Sequence, residues 1–499
     1  MTNLIASTRS GPVRGREKNG VLLFAGIPYA APPVGERRFR APELPDDWRE
    51  VRDATRFGPA APQLPGEGLL GSPAVRWDEA ACLTLNVATP ACDDAGRPVL
   101  VWIHGGGFRT GQAAIPWYDG SSFARNGVVV ASLNYRLGAL GFAQLDAIGG
   151  SDYSDSGSLG IQDQLAALRW VHDNIASFGG DPARVTIAGE SAGAMSVGIL
   201  LGVAGASGLF RGAIPQSGAA QHVLSRDAAR EAARRFAEAL GAGSIAELLA
   251  ATPERILAAQ AEVEKLSREG ELADSTGMRG MPFIPVTGGA TIPEQPLVAI
   301  RAGSARGVSV LVGTNADEMT LFGLPDVDDE RLVRVAGRYF ADAERAIATY
   351  RAERAGASAR EIALAMSTDH VFRIPAVRLA EAQAANGAPV WKYWFTWKSR
   401  AFGGRLGATH SLEIPFAFNT LDRPGVDAML GPGERPDALA QTMHAAWTAF
   451  VKSGDPSCAA TGAWSRYGPD AREVMELGAR VGALRDPRAA TRALWDGVR

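Results

Sequence analysis

The run 185–201, VTIAGESAGAMSVGILL, is apolar except where Glu190 and Ser191 stand in its middle. Gly189 and Gly193 lie two residues either side of Ser191. This is the G-x-S-x-G pattern, in which small neighbours let a serine occupy a sharp strand-to-helix turn and project from a sheet. Residues 185–188 read as a short strand, and Met195, Ile199 and Leu200 fall on one side of the helix that follows. A purely structural turn in a long α/β chain would use the same glycines, so the chemical reading needs further parts. A serine hydroxyl is a weak nucleophile. It requires a histidine to take its proton, a carboxylate to orient that histidine, and N–H donors for an oxyanion.

The stretch VWIHGGGF supplies candidate donors. A buried strand at 99–103 runs into His104, Gly105, Gly106, Gly107 and Phe108, and successive glycines turn backbone N–H groups toward a substrate without side-chain obstruction. Gly106 and Gly107, with the N–H of Ala192, are expected to hold the oxyanion. The base follows by elimination among six histidines. His104 belongs to the glycine turn. His172 and His444 lie inside helical patterns, where packing or surface roles are expected, and His370 is expected near a helix start. His222 follows the strand after the serine helix, too early for the order serine, acid, histidine that goes with this motif. His410 sits in a late loop after a strand. Asp317 and Glu318 follow the strand ending near Gly313, where catalytic side chains gather in open α/β sheets, and their positions alone do not separate them.

These residues need a sheet to hold them. Strand-like and helix-like segments alternate for most of the chain, which points to a mostly parallel α/β sheet flanked by helices. Asn19-Gly20 between two strand patterns predicts a hairpin, so antiparallel strands open the sheet. Leu83, Leu85 and Val87 alternate, and 99–103 and 128–133 are apolar runs suited to central strands. Ile161, Leu165, Leu168, Val171, Ile175 and Phe178 recur at helical spacing until Gly179-Gly180. No composition shift marks a linker, so 1–499 reads as a single catalytic domain with helical excursions at about 222–300 and 325–388.

Composition narrows the function. Lys and Arg number 51 against 54 Asp and Glu, with no basic run to engage nucleic acid or an anionic membrane. The most apolar stretch, 195–210, is shorter than the roughly 20 residues of a membrane span. The start, MTNLIASTRSGPVRG, has no basic region followed by an apolar one, so no secretory signal is read there. Cys82, Cys92 and Cys458 cannot pair completely and lack metal-ligand spacing. They are read as free thiols of a cytoplasmic protein. No metal and no cofactor is expected, and a small neutral molecule fits better as partner than nucleic acid or membrane.

Across nearly its whole length the chain resembles the type-B carboxylesterases, which include bacterial para-nitrobenzyl esterases and the cholinesterases. The likeness is carried in order by FAGIPYAAPPVGERRFRAPE, CLTLNVATP, VWIHGGGF, LNYRLGALGF, FGGDPARVTIAGESAGA, PQSGA, NADE and THSLEIPFAF. The resemblance implies an α/β-hydrolase fold and a serine carboxylic ester hydrolase acting through an acyl-enzyme. It implies Ser191 as nucleophile, Glu318 rather than Asp317 as acid, His410 as base, and Gly106, Gly107 and Ala192 as oxyanion donors. It further suggests Ser217 as a supporting hydroxyl and Glu190 as a buried structural carboxylate. Amide or carbamate hydrolysis on the same triad, and a non-catalytic binding module of this fold, are the alternatives. Two departures stand out. Where relatives commonly read Glu-Asp-Cys-Leu this chain has Ala80-Ala81-Cys82-Leu83, so an ion pair between that glutamate and Arg38 is expected to be missing. Ser72 stands at the choline-binding position and Trp77 is displaced from it, which leaves a cation cage unsupported.

Overall fold

The computed structural model describes residues 4–66, 75–272, 279–323 and 326–498. Ser72 lies outside them. The strands of the main sheet are β1 (Arg16–Lys18), β2 (Val21–Pro28), β3 (Thr84–Thr89), β4 (Arg97–Ile103), β5 (Val129–Leu133), β6 (Gly180–Glu190), β7 (Gly212–Gln216), β8 (Ser309–Asn315), β9 (Val390–Phe395), β10 (Glu473–Leu477) and β11 (Val481–Arg485). Their spatial order is β11-β10-β9-β8-β7-β6-β4-β5-β3-β2-β1. From β10 to β5 every pair is parallel. The pairs beyond, at both edges, are antiparallel.

Local chemistry explains the strands. Asn19 (φ 54°) and Gly20 (φ 74°) both take the left-handed region between β1 and β2, the backbone of a tight hairpin turn. Strands β4 and β5 are buried along almost their whole length, as helix-covered parallel strands must be. Strand β3 is buried at every position as well, with Leu85 and Val87 on one covered face and Ala88 on the other.

Helix α1 (Leu159–Asn174) buries Ile161, Leu165, Leu168 and Val171 and passes into a turn, Ile175–Phe178, closed by Gly179 at φ +76°. Helix α2 (Ala192–Gly202) differs from a one-faced helix: all its residues as far as Leu201 are buried. It lies in the core between the sheet and its covering helices. The core therefore splits across the sheet, with α1 and α2 on one face and α4 (Asp437–Ser453) on the other. Helices such as Arg226–Leu240, Pro253–Glu269, Ala343–Glu353 and α3 (Ile374–Ala385) form the insertions. His370 departs from expectation. It lies in a wide turn, Asp369–Arg373, joining helix Ala359–Thr368 to α3, so it sits mid-run and not at a helix start.

The expected loss of the Arg38 ion pair is contradicted. Glu79, one residue before the position where a glutamate was sought, accepts from Arg38 Nε at 2.6 Å and from Nη2 at 2.5 Å, and both side chains are buried. The short turn Glu79–Ala81 begins at this residue and carries its carboxylate inward. Arg38 Nη1 also donates to Leu249 O and Ala251 O, tying the N-terminal segment to the first insertion. Cys82, Cys92 and Cys458 are free thiols. Among the described residues no helix is long and apolar enough to cross a membrane.

Candidate active site

Ser191 sits between β6 and α2 at φ 57°, ψ −125°, a conformation that costs a non-glycine residue about 1–3 kcal/mol and must be held by its surroundings. The holding contacts are backbone. Ser191 N–H donates to Gln216 O at 3.0 Å, and α2 approaches β4 so closely that a Cβ on Gly193 would stand 2.1 Å from Ile103 O. Ser217 (φ 55°) and Ser411 (φ 63°) also take positive φ, and Ser411 Oγ donates to Glu190, the residue before Ser191.

The glycine turn leaves β4 beside this elbow. A Cβ on Gly105 would lie 2.6 Å from Glu190 O and 3.0 Å from Ser191 Cβ, and one on Gly106 (φ +106°) would lie 2.2 Å from Thr110 O. The turn therefore approaches Ser191 only because it lacks side chains. The N–H groups of Gly106, Gly107 and Ala192 donate to no described residue, and that of Ala192 opens α2, where unpaired N–H groups and the helix dipole favour negative charge. His104 shapes the turn from behind. Its Nδ1 pairs with Gly105 O at 2.8 Å, its ring stacks on Tyr135, and burial pushes its pKa down to about 4.

His410 is buried, and its Nδ1 lies 2.7 Å from Glu318 Oε2. The other oxygen of Glu318 accepts the Asn315 N–H at 2.8 Å. Burial pushes the Glu318 carboxyl up to about 8, against the pull of the Ser217 hydroxyl and the Asn315 N–H. The Ser217 hydroxyl faces this carboxyl without the alignment of a full hydrogen bond. A carboxylate so poorly solvated gains strongly from an imidazolium forming beside it. With Nδ1 engaged, the hydrogen-bond network assigns the proton there and leaves Nε2 as the acceptor. Nε2 makes no hydrogen bond to a described residue.

Glu190 Oε1 accepts from Ser411 Oγ at 2.7 Å and stands 3.1 Å from His410 Nε2. Burial pushes its carboxyl up to about 8, with the charge of Glu413 adding to the shift and that of His410 opposing it. Asp317 does not accept from the neighbourhood of Asn315 as a turn residue there would. Its Oδ2 takes the Ala408 N–H at 2.9 Å, because its side chain turns toward the loop before His410 and leaves the Asn315 N–H to Glu318.

Sequence reasoning missed several contributors. Glu413, fully buried, accepts from Asn315 Nδ2 at 2.6 Å and Gln216 Nε2 at 3.2 Å, and burial pushes it up to about 7. A charged residue inside the apolar THSLEIPFAF stretch was its only signal. Phe322 and Phe372 flank His410, with ring centroids 5.2 and 4.7 Å away, and no local pattern marked either. The other histidines stay apart: His172 is exposed and pairs with Asp173, His444 packs on Phe123, and His222 lies by Ala219 and Val371. Among the described residues no group of three or more His, Cys, Asp or Glu side chains is arranged to hold a metal ion.

The model of the carboxylesterase family matches residues 2–495. The para-nitrobenzyl esterase of Bacillus subtilis is 38% identical, with 99% of this chain and 98% of that protein covered. The acetylcholinesterase of Bungarus fasciatus is 31% identical over 99% of this chain and 86% of its own length. The solved carboxylesterase of Geobacillus stearothermophilus superposes with a TM-score of 0.88 at 39% identity, covering 99% of this chain and 100% of that one.

Proposed function

The chain belongs to the carboxylesterase family and hydrolyses carboxylic esters, and we propose that Ser191, His410 and Glu318 carry the reaction within one catalytic domain spanning 1–499. The observation that carries this reading is the 2.7 Å contact between His410 Nδ1 and Glu318 Oε2, which leaves Nε2 as the acceptor, 3.1 Å from the carboxyl of Glu190, the residue before Ser191.

In the proposed course, Ser191 Oγ attacks the ester carbonyl while His410 Nε2 takes its proton. Negative charge gathers on the former carbonyl oxygen, and the N–H groups of Gly106, Gly107 and Ala192 receive it. Collapse breaks the bond to the alkoxy group, which leaves as the alcohol with the proton from Nε2. Water then attacks the acyl-serine with the same base, releasing the carboxylic acid and restoring Ser191. Glu318 holds the tautomer and stabilises the imidazolium as it forms. Ser217 and Glu190 support this machinery from outside the reacting atoms. The substrates proposed are neutral esters. The three free thiols support a reducing compartment, and the cytoplasm is the proposed location.

Hydrolysis of a chromogenic nitrophenyl ester tests the assignment. Ser191→Ala and His410→Ala should each lower turnover by about 10⁴-fold or more, and the double variant should be little worse than either, because the residues act as a unit. Additive losses would speak against a shared step.

A further inference from the structure

Far along the sheet from Ser191, β9 carries a lysine in its interior. Lys392 is only 4% exposed and faces away from Trp391 and Tyr393, which belong to the opposite core. In the sheet it pairs with Val312 of β8. Its ammonium makes no hydrogen bond or ion pair with a described residue, and a buried cation without a partner is costly. The side chain lines a cavity of about 20 Å³ together with Arg373, Trp394, Arg472, Asp486 and Arg492.

The charges around this cavity do not cancel. Arg373 bonds Asp369 through Nε and Nη2, Arg492 bonds Asp486 through Nε and Nη2, and Arg472 bonds Glu381 through Nη1. Each of the three guanidiniums thus has a carboxylate, Arg492 a second in solvent-exposed Asp496, whereas Lys392 has none among the described residues. Behind them Glu353 faces both Arg354 and Arg488, which adds further positive charge. Arg373 Nη1 and Arg472 Nη2 remain outside these bonds, so donors are left over as well as charge. Burial, with the charge of Arg373, pushes the Lys392 ammonium down to about 7, against the pull of Asp369, Asp486 and Glu381. The amine therefore gives up its proton near neutrality unless a negative charge joins it.

We propose that the cavity between β9, α3 and the 472–492 segment is a binding site for a halide-sized monoanion, which pairs with the protonated amine of Lys392. About 20 Å³ of the cleft is open to the centre of a water-sized particle, which gives room for a chloride-sized ion. Binding takes up one proton from solvent at pH values where the empty site holds a neutral amine, so anion affinity and pH are linked. The anion ties the residues flanking β10 and β11 that supply Arg472, Asp486 and Arg492 to Lys392 of β9.

Thermal unfolding with sodium chloride exchanged for sodium gluconate at fixed ionic strength tests this, since a ligand of the folded state raises the midpoint by mass action. The apparent chloride dissociation constant of the wild-type protein should rise about tenfold for each pH unit between 8 and 9.5. Lys392→Met should lose the chloride response while keeping ester hydrolysis. If that variant does not fold, the wild-type pH profile decides alone. A midpoint indifferent to chloride, a chloride affinity flat over this pH range, or an unchanged response in folded Lys392→Met would overturn the proposal.

Discussion

His410 Nδ1 and Glu318 Oε2 lie 2.7 Å apart, whereas Asp317, the next residue in the chain, sends its Oδ2 to the Ala408 N–H. Two adjacent carboxylates thus do different work. Glu318→Gln should cut turnover by roughly 10⁴-fold, as when a triad acid becomes an amide and the imidazole takes the wrong tautomer, with little change in melting temperature. Asp317→Asn keeps an acceptor oxygen for Ala408 and should retain most activity. Steady-state kinetics of both variants on one ester checks this, and the reverse pattern would move the acid by one residue.

The glycine turn makes a steric prediction. Gly106→Ala would place a methyl group 2.2 Å from Thr110 O at φ +106°, so the turn must shift and its N–H groups with it. Loss of one oxyanion donor lowers kcat by about 10²–10³-fold. Kinetics of Gly106→Ala should show that loss mainly in kcat, and an unchanged kcat would remove Gly106 from the site.

What could be read from the sequence was local. Asn19-Gly20, the glycines around Ser191 and the apolar runs of β4 and β5 each constrain their own few residues, so the hairpin, the elbow and the central strands were legible. Ser191, His410 and Glu318 were found as candidates because motif and chain order narrowed the choice, though only resemblance separated Glu318 from Asp317. Contacts between distant segments were not legible. The Arg38–Glu79 pair was judged absent because a glutamate was sought one position too late, and a short turn absorbs that offset. Glu413 meets Gln216 and Asn315 at the ends of β7 and β8, and Phe372 reaches His410 from the turn before α3, which no spacing rule encodes.

The buried Arg38–Glu79 pair predicts a stability pattern. Arg38→Met leaves Glu79 unpaired in the interior and should destabilise by about 3–5 kcal/mol. Adding Glu79→Leu should recover much of that loss, since a well-packed apolar pair often replaces a buried ion pair at little cost. Denaturant unfolding of the single and double variants measures both effects.

Glu190 predicts a pH dependence of stability. Its folded pKa of about 8 exceeds the ordinary 4.5, so the folded protein binds its proton more tightly than the unfolded chain. The associated stability is complete below about 4.5 and declines as pH rises to about 8. Glu190→Gln has no such titration. Melting temperatures across pH 5 to 8 should therefore fall less in Glu190→Gln than in the wild-type protein, and parallel curves would count against the raised carboxyl.

The central claim is that Ser191 is the nucleophile activated by His410, and covalent labelling with an organophosphate read by mass spectrometry tests it most directly. The account predicts one adduct per chain, located on the peptide containing Ser191, formed far more slowly in His410→Ala and absent in Ser191→Ala, with ester hydrolysis falling in step with labelling. An adduct on another residue, or full hydrolysis by a protein whose Ser191 is completely modified, would contradict it.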